Sequence, residues 1–442
     1  MSAGSFELVG EKSGFREFRL KANGLRVLLL PNTVAPVVTF AIVYHVGSRN
    51  EAVGHTGSTH LLEHLMFKGT PDFDRAKGTA VAAVLEALGA RFNATTWFDR
   101  TNYYETLPSD SLETALRIES SRMRQALLRD EDRVPEMTVV RNEFERGENS
   151  PFQVLYKETF ATAFREHPYH HPTIGWRSDI EGVSTGRLRE FYDTFYHPNN
   201  ATAMLIGDFE ENAALASIEG HFGKIPASPR PIPEVYTVEP PQQGERRFTV
   251  RRAGQVAWCG LSWRTVEARH ADTPALAVLG NILGGGITGR LHQALVEKSL
   301  ALSVSVVAWQ LRDPALFSVF APVRPGVEPS EVEGVVRREV ARVASESVTE
   351  AECEKARTQI EAEVIFDRDS TDQIAASLSE AIAVADWQWY ADYPAAIRRV
   401  SAADVQRVVL TYLHDDALTV GLYIPKPPAD EAAPAETDEE GS

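Results

Sequence analysis

Two histidines and a glutamate stand within one helical turn of each other in HLLEH, His60 to His64. Leu61, Leu62 and Leu65 form an apolar stripe, and no proline or glycine interrupts Ser58 to Lys68. The pattern predicts a helix from about Thr56 to Phe67, with Ser58 or Thr59 capping its start. At positions i and i+4 the His60 and His64 imidazoles project the same way, one turn apart. That separation suits two nitrogen ligands on one zinc ion at about 2.0–2.1 Å. Glu63 lies beside them, near enough to act as a general base on a water at the metal without taking a coordination place. The order HxxEH inverts the commoner HExxH and belongs to the catalytic zinc arrangements. The bland alternative is an ordinary surface helix. Two histidines and an acid on a leucine-filled helix, however, are costly to bury without a partner, which favours the metal.

A catalytic zinc site needs a third protein ligand and an open fourth position. Candidate carboxylates lie in PEMTVVRNEFERGE, where Glu136 and Glu143 are seven residues, two helical turns, apart and share a face. One of them can bind metal while the other hydrogen-bonds a ligand imidazole. Spacing does not choose between them, and both also fit a solvated helix face, as Glu145 and Glu148 do.

The elements that must hold these residues fall into two similar halves. Lys224 to Gly244 reads KIPASPRPIPEVYTVEPPQQG, with six prolines and no helical period, an extended semi-rigid linker. Before it, two alternating strands precede the HLLEH helix. After it, RRFTVRRAG and QVAWCGLSWRTV precede a predicted helix from Thr273 to Leu283. Further on, each half has an apolar strand, a proline-containing turn and a long amphipathic helix. The expected class is α+β. It comprises two homologous αβ-roll halves, each an antiparallel sheet with helices packed on one face. The divisions are residues 1–223, bearing the metal site, a linker at 224–244, a second half at 245–425, and an acidic, disordered tail at 426–442.

The chain has 442 residues, 43% of them hydrophobic and 24% charged, a globular composition with ample material for large cores. A net charge of −17 argues against nucleic acid or anionic lipid as partner. The two cysteines, Cys259 and Cys353, are far apart and fit a reducing compartment. No stretch has signal-peptide or membrane-span character, so no membrane association and a cytoplasmic location are expected.

Taken together, these segments resemble the pitrilysin/insulinase family of inverted-motif zinc peptidases, the inverzincins. The nearest likeness is to its shorter branch, which includes the mitochondrial processing peptidase and many bacterial zinc proteases. GSTHLLEHLMFKGT resembles the family's metal helix, and VVRNEFERGENSPF resembles the segment carrying the third ligand. NATTWFDRTNYYETLP, HPYHHPTIG, FYDTFYHPNNATAMLIGDF and LGGGITGRLHQALVEKSLA support the match. The resemblance implies one zinc held by His60, His64 and Glu143, with Glu63 as catalytic base and Glu136 steadying the ligand set. It also implies an edge strand at Asn93 and Ala94 that pairs with the substrate backbone by β-augmentation. The implied reaction is direct attack of water on a peptide bond, Glu63 taking the proton and passing it to the leaving amine. Peptides or unfolded segments would be cleaved inside a closed chamber.

One departure is informative. Full-length family members carry, in the second half, an arginine and a tyrosine that hold the substrate carbonyl. Here Val296 and Leu302 stand about where that pair would be, and PALAVLGNILGGG offers no second metal motif. By analogy with the shorter branch, this chain is expected to be the metal-bearing subunit of a heterodimer whose homologous partner supplies the Arg/Tyr pair; a homodimer is the other assembly. The rival reading is a non-catalytic structural or assembly subunit of the same family, which usually loses part of the metal set. A purely structural zinc would want a fourth protein ligand.

Overall fold

A computed structural model describes residues 4–426; of the predicted acidic tail, 426–442, Lys426 ends a strand and the rest lies outside the described residues. Among the described residues, twelve strands form two sheets. The first contains β1 (Phe6–Lys12), β2 (Phe15–Leu20), β3 (Arg26–Pro31), β4 (Val37–Tyr44), β5 (Arg91–Thr96), β6 (Thr101–Pro108) and β7 (Ala201–Gly207). The second contains β8 (Arg246–Ala253), β9 (Trp258–Arg264), β10 (Ser305–Ala308), β11 (Leu316–Pro322) and β12 (Leu418–Lys426). Their orders are β1-β2-β3-β7-β4-β6-β5 and β10-β11-β9-β12-β8. With the β1–β2 hairpin set aside, the second order repeats the first strand for strand, β8 standing for β3 and β10 for β5. The duplication expected from the sequence is therefore present in the topology. Most pairs are antiparallel, but β3–β7 and β8–β12 run parallel, one such pair in each sheet.

Strand composition shows how the sheets are covered. β4, β7 and β11 are apolar along almost their whole length and buried throughout or nearly so, as strands covered on both faces must be. Edge strand β8 instead alternates between half-buried and exposed. One face of the first sheet packs on helices of its own half, where Leu61, Leu62, Leu116, Leu188 and Ile218 join the core. Its other face is covered from the second half. Ile374, Leu378, Ile382 and Trp387, on helices Thr371–Val384 and Trp387–Arg398, pack on Leu28, Ala41, Val43 and Met204. The exchange is mutual, because helix Pro151–Ala163 of the first half lies on the second sheet. A Cβ at Gly421 of β12 would lie 2.9 Å from Leu155 of that helix. Helices on one face alone thus describe only part of each layer.

From Lys224 to Glu245 the chain forms no helix or strand. It is nonetheless anchored. The buried Glu239 carboxylate accepts the backbone N–H groups of Arg165, Glu166 and His167 at 2.9, 2.7 and 3.0 Å. Cys259 and Cys353 are free and buried. Among the described residues no helix is long and apolar enough to cross a membrane.

Candidate metal centre

The predicted metal helix runs from Ser58 to Leu65, a little shorter than the sequence pattern suggests. Leu61, Leu62 and Leu65 are fully or almost fully buried and fix the helix on the first sheet. Its start is not capped by Ser58 or Thr59. The residue before it, Gly57, has φ +85°, a conformation that favours glycine, and a Cβ there would meet the Ile174 carbonyl at 2.4 Å. The buried Glu51 carboxylate accepts N–H from Gly57 at 2.8 Å and from Thr59 at 2.7 Å. Ser58 instead donates its hydroxyl to the His55 carbonyl.

Opposite the leucines, His60 and His64 face helix Asp130–Glu148. Glu143 Oε2 lies 3.6 Å from His60 Nε2 and 3.7 Å from His64 Nε2. One ligand atom from each of the three residues falls within 4.8 Å of the others. Two ligands about 2.1 Å from one tetrahedral ion lie roughly 3.4 Å apart, so the donor set fits zinc. Glu136, two turns earlier, is placed differently. Its Oε1 is 2.8 Å from His64 Nδ1, and its other oxygen is ion-paired with Lys68. The proton on His64 Nδ1 is thereby directed to Glu136, which leaves Nε2 free as a donor atom towards Glu143. Geometry therefore separates the two carboxylates that spacing left equivalent.

Burial, reinforced by the neighbouring His64, depresses the His60 pKa to about 3 and keeps the ring neutral, the form a metal takes. His60 Nδ1 is buried with no hydrogen-bond partner among the described residues. Burial also pulls the His64 pKa down, but its bond to Glu136 and the nearby carboxylates outweigh that and raise it. Glu63 is buried, which raises its pKa against the opposing hydrogen bond from Thr96.

Asn93 and Ala94 lie on β5, the edge of the first sheet, opposite Tyr104 and Tyr103 of β6. Asn93 is exposed and Ala94 buried, and among the described residues β5 has no strand on its other side. Thr96, the last residue of β5, donates its hydroxyl to Glu63 Oε2 at 2.6 Å. Beside them opens a cleft of about 530 Å³, lined by His60, Glu143, Thr96, Trp97, Tyr156 and Ile174 among others. All of its lining residues lie between His60 and Ile174, in the first half. Val296 is half-buried, and Leu302 is 45% exposed, on a turn of the second half. Glu51, Lys68 and Thr96 were not singled out by the sequence. Each acts through a contact between segments that no spacing rule encodes.

The insulinase (peptidase family M16) model matches residues 26–176, and the peptidase M16 inactive-domain model matches residues 182–360. The zinc protease PqqE of Helicobacter pylori is 29% identical over 402 residues, 90% of each chain. An uncharacterized zinc protease of Streptomyces coelicolor is 29% identical over 361 residues, covering 79% of this chain and 76% of that one. The crystal structure of a protease from Helicobacter pylori superposes with a TM-score of 0.89 at 29% identity, over 93% of this chain and 99% of that one. A putative M16-like peptidase from Alicyclobacillus acidocaldarius shares the fold, with a TM-score of 0.80 at 22% identity, over 96% and 100% of the two chains.

Proposed function

This chain belongs to the insulinase family of peptidases, M16, and from that premise we propose that it is a zinc-dependent endopeptidase acting on extended peptides or unfolded segments. The observation that carries the reading is the convergence of His60, His64 and Glu143 beside the buried Glu63 and an unpaired sheet edge. Zinc bound by those three residues supplies Lewis acidity for hydrolysis near neutral pH. Glu63 is the general base: it takes the proton of the attacking water and returns it to the leaving amine. Its burial raises its basicity towards that task. The free edge of β5 at Asn93 and Ala94 binds the substrate main chain in extended form. Glu136 holds His64 in the tautomer that leaves Nε2 open.

The second half contributes nothing to the lining of the cleft and has Val296 and Leu302 about where an Arg/Tyr pair is expected. We therefore assign the chain as the metal-bearing subunit of a heterodimer that encloses a chamber, the homologous partner supplying the pair. A cytoplasmic site of action belongs to the same reading, since both cysteines are unpaired.

Glu63→Gln is the direct test. It should leave zinc content at one per chain while lowering peptide hydrolysis by about 10²–10⁴-fold, the usual reach of general-base catalysis. Cleavage at the wild-type rate would remove Glu63 from the role. A wild-type assembly that binds zinc but cleaves nothing would favour the structural-subunit reading.

A further inference from the structure

Two features of the site have no part yet in the mechanism: the hydroxyl of Thr96 and the tether on the strand that carries it. Thr96 Oγ1 donates to Glu63 Oε2 at 2.6 Å. Glu63 Oε1 makes no hydrogen bond among the described residues, and it is not one of the buried unpaired atoms, so it meets solvent. One carboxylate oxygen is therefore held and the other is open. The strand is itself fixed from beneath. Arg100, almost completely buried, donates to the Thr95 carbonyl at 2.8 Å and to Glu380 at 3.0 Å. Glu380 lies on helix Thr371–Val384 of the second half, which packs on the underside of the first sheet.

We propose that Thr96 is a positioning residue that fixes the Glu63 carboxylate beside His60 and His64, on a strand braced by Arg100 and Glu380. The proposal rests on the reading of Glu63 as general base. A glutamate side chain has three rotatable bonds, and a charge-assisted hydrogen bond at one oxygen removes most of that freedom. Thr96 also ends the edge strand proposed to carry substrate, so strand and base share one rigid segment. Substrate paired along β5 and the base that acts on it are held in a single register. The second half, which bears no metal residue, takes part in catalysis through that brace.

Thr96→Val keeps the shape and strand preference of the residue and deletes only the hydroxyl; Thr96→Ser restores it. Crystal structures of the zinc-loaded proteins should show one Glu63 conformer in wild type and Thr96→Ser. In Thr96→Val that side chain should be rotated or spread, with His60, His64 and Glu143 unmoved and zinc content unchanged. Peptide kinetics should show kcat reduced about 10–100-fold in Thr96→Val with KM within about twofold, the pattern of a misplaced base. Thr96→Ser should recover most of the rate. A Thr96→Val structure with Glu63 in its wild-type conformer overturns the proposal, as does an unchanged kcat with Glu63 displaced. Should Glu63→Gln prove as active as wild type, the general-base reading falls, while the conformer of Glu63 still decides what Thr96 does to it.

Discussion

Glu136 and Glu143 share one face of one helix and differ in what their oxygens meet. Glu143, 46% exposed, reaches both imidazole Nε2 atoms, whereas Glu136, about 10% exposed, reaches the far nitrogen of His64 and Lys68. On the proposed assignment, removing the first deletes a donor from the metal, while removing the second loosens a ring that keeps its own donor atom. Glu143→Gln should therefore lose most of its zinc on dialysis. Glu136→Gln should bind with about 10–100-fold lower affinity yet still load at excess metal. Metal analysis of the two purified proteins across a zinc titration checks this, and the opposite ranking would exchange the two roles. The buried Arg122, paired with Glu105 and Glu119 inside the same core, shows that not every acid near the site is chemical.

At the scale of elements, the metal helix is only eight residues long and is started by a carboxylate from outside it. Deleting that acceptor in Glu51→Ala leaves two buried N–H groups unpaired. Such groups cost about 1–3 kcal/mol each, so the melting temperature of the metal-free protein should fall. Glu51 also carries a pH signature. Burial raises its pKa from 4.5 to about 8, against the N–H bonds from Thr59 and Gly57. Between those values the folded chain holds a proton that the unfolded chain has lost, so this group makes stability decline as pH rises from about 4.5 to 8. Glu51→Gln keeps one of the two acceptor oxygens and cannot ionise, so denaturant titrations across that range should show a lower stability overall and the pH dependence flattened. A slope equal to wild type would place the titration elsewhere.

For the whole molecule, the cleft is built from one half, and the brace on strand β5 joins Arg100 of that half to Glu380 of the other. In the proposed mechanism zinc and Glu63 act on one side of a peptide bond, and a loosely held substrate forfeits positioning that is worth up to about 7–11 kcal/mol. With Val296 and Leu302 about where the family resemblance places an Arg/Tyr pair, the isolated chain should bind zinc and hydrolyse peptides poorly. A homologous subunit carrying the pair should restore turnover, and mutating the pair in that subunit should abolish it. The Glu63→Gln protein serves as control for contaminating peptidase. Robust turnover by this chain alone would mean that a homodimer suffices.

Local chemistry was legible in the residues themselves. HLLEH has the helical spacing that brings two imidazoles to one face, and the doubled pattern of strands and amphipathic helices appears again as two sheets of matching order. Helix Thr273–Gly284 falls where periodicity puts it. The helices and strands themselves depend on contacts a few residues apart, which side-chain period fixes, whereas their order in the sheets joins distant residues, as where Arg26 of β3 pairs with Thr202 of β7. The rest was decided by residues distant in the chain. Glu143 and Glu136 have the same spacing rule and acquire different neighbours only when their helix crosses the metal helix. Thr96 meets Glu63 across 33 residues, and Arg100 meets Glu380 across 280. The exchange of helices between halves left its trace in the nearly continuous apolar runs of β4, β7 and β11. Such a run states that both faces are covered, but not by which helices; tertiary packing alone selects those, because any apolar face of suitable shape satisfies the same strand.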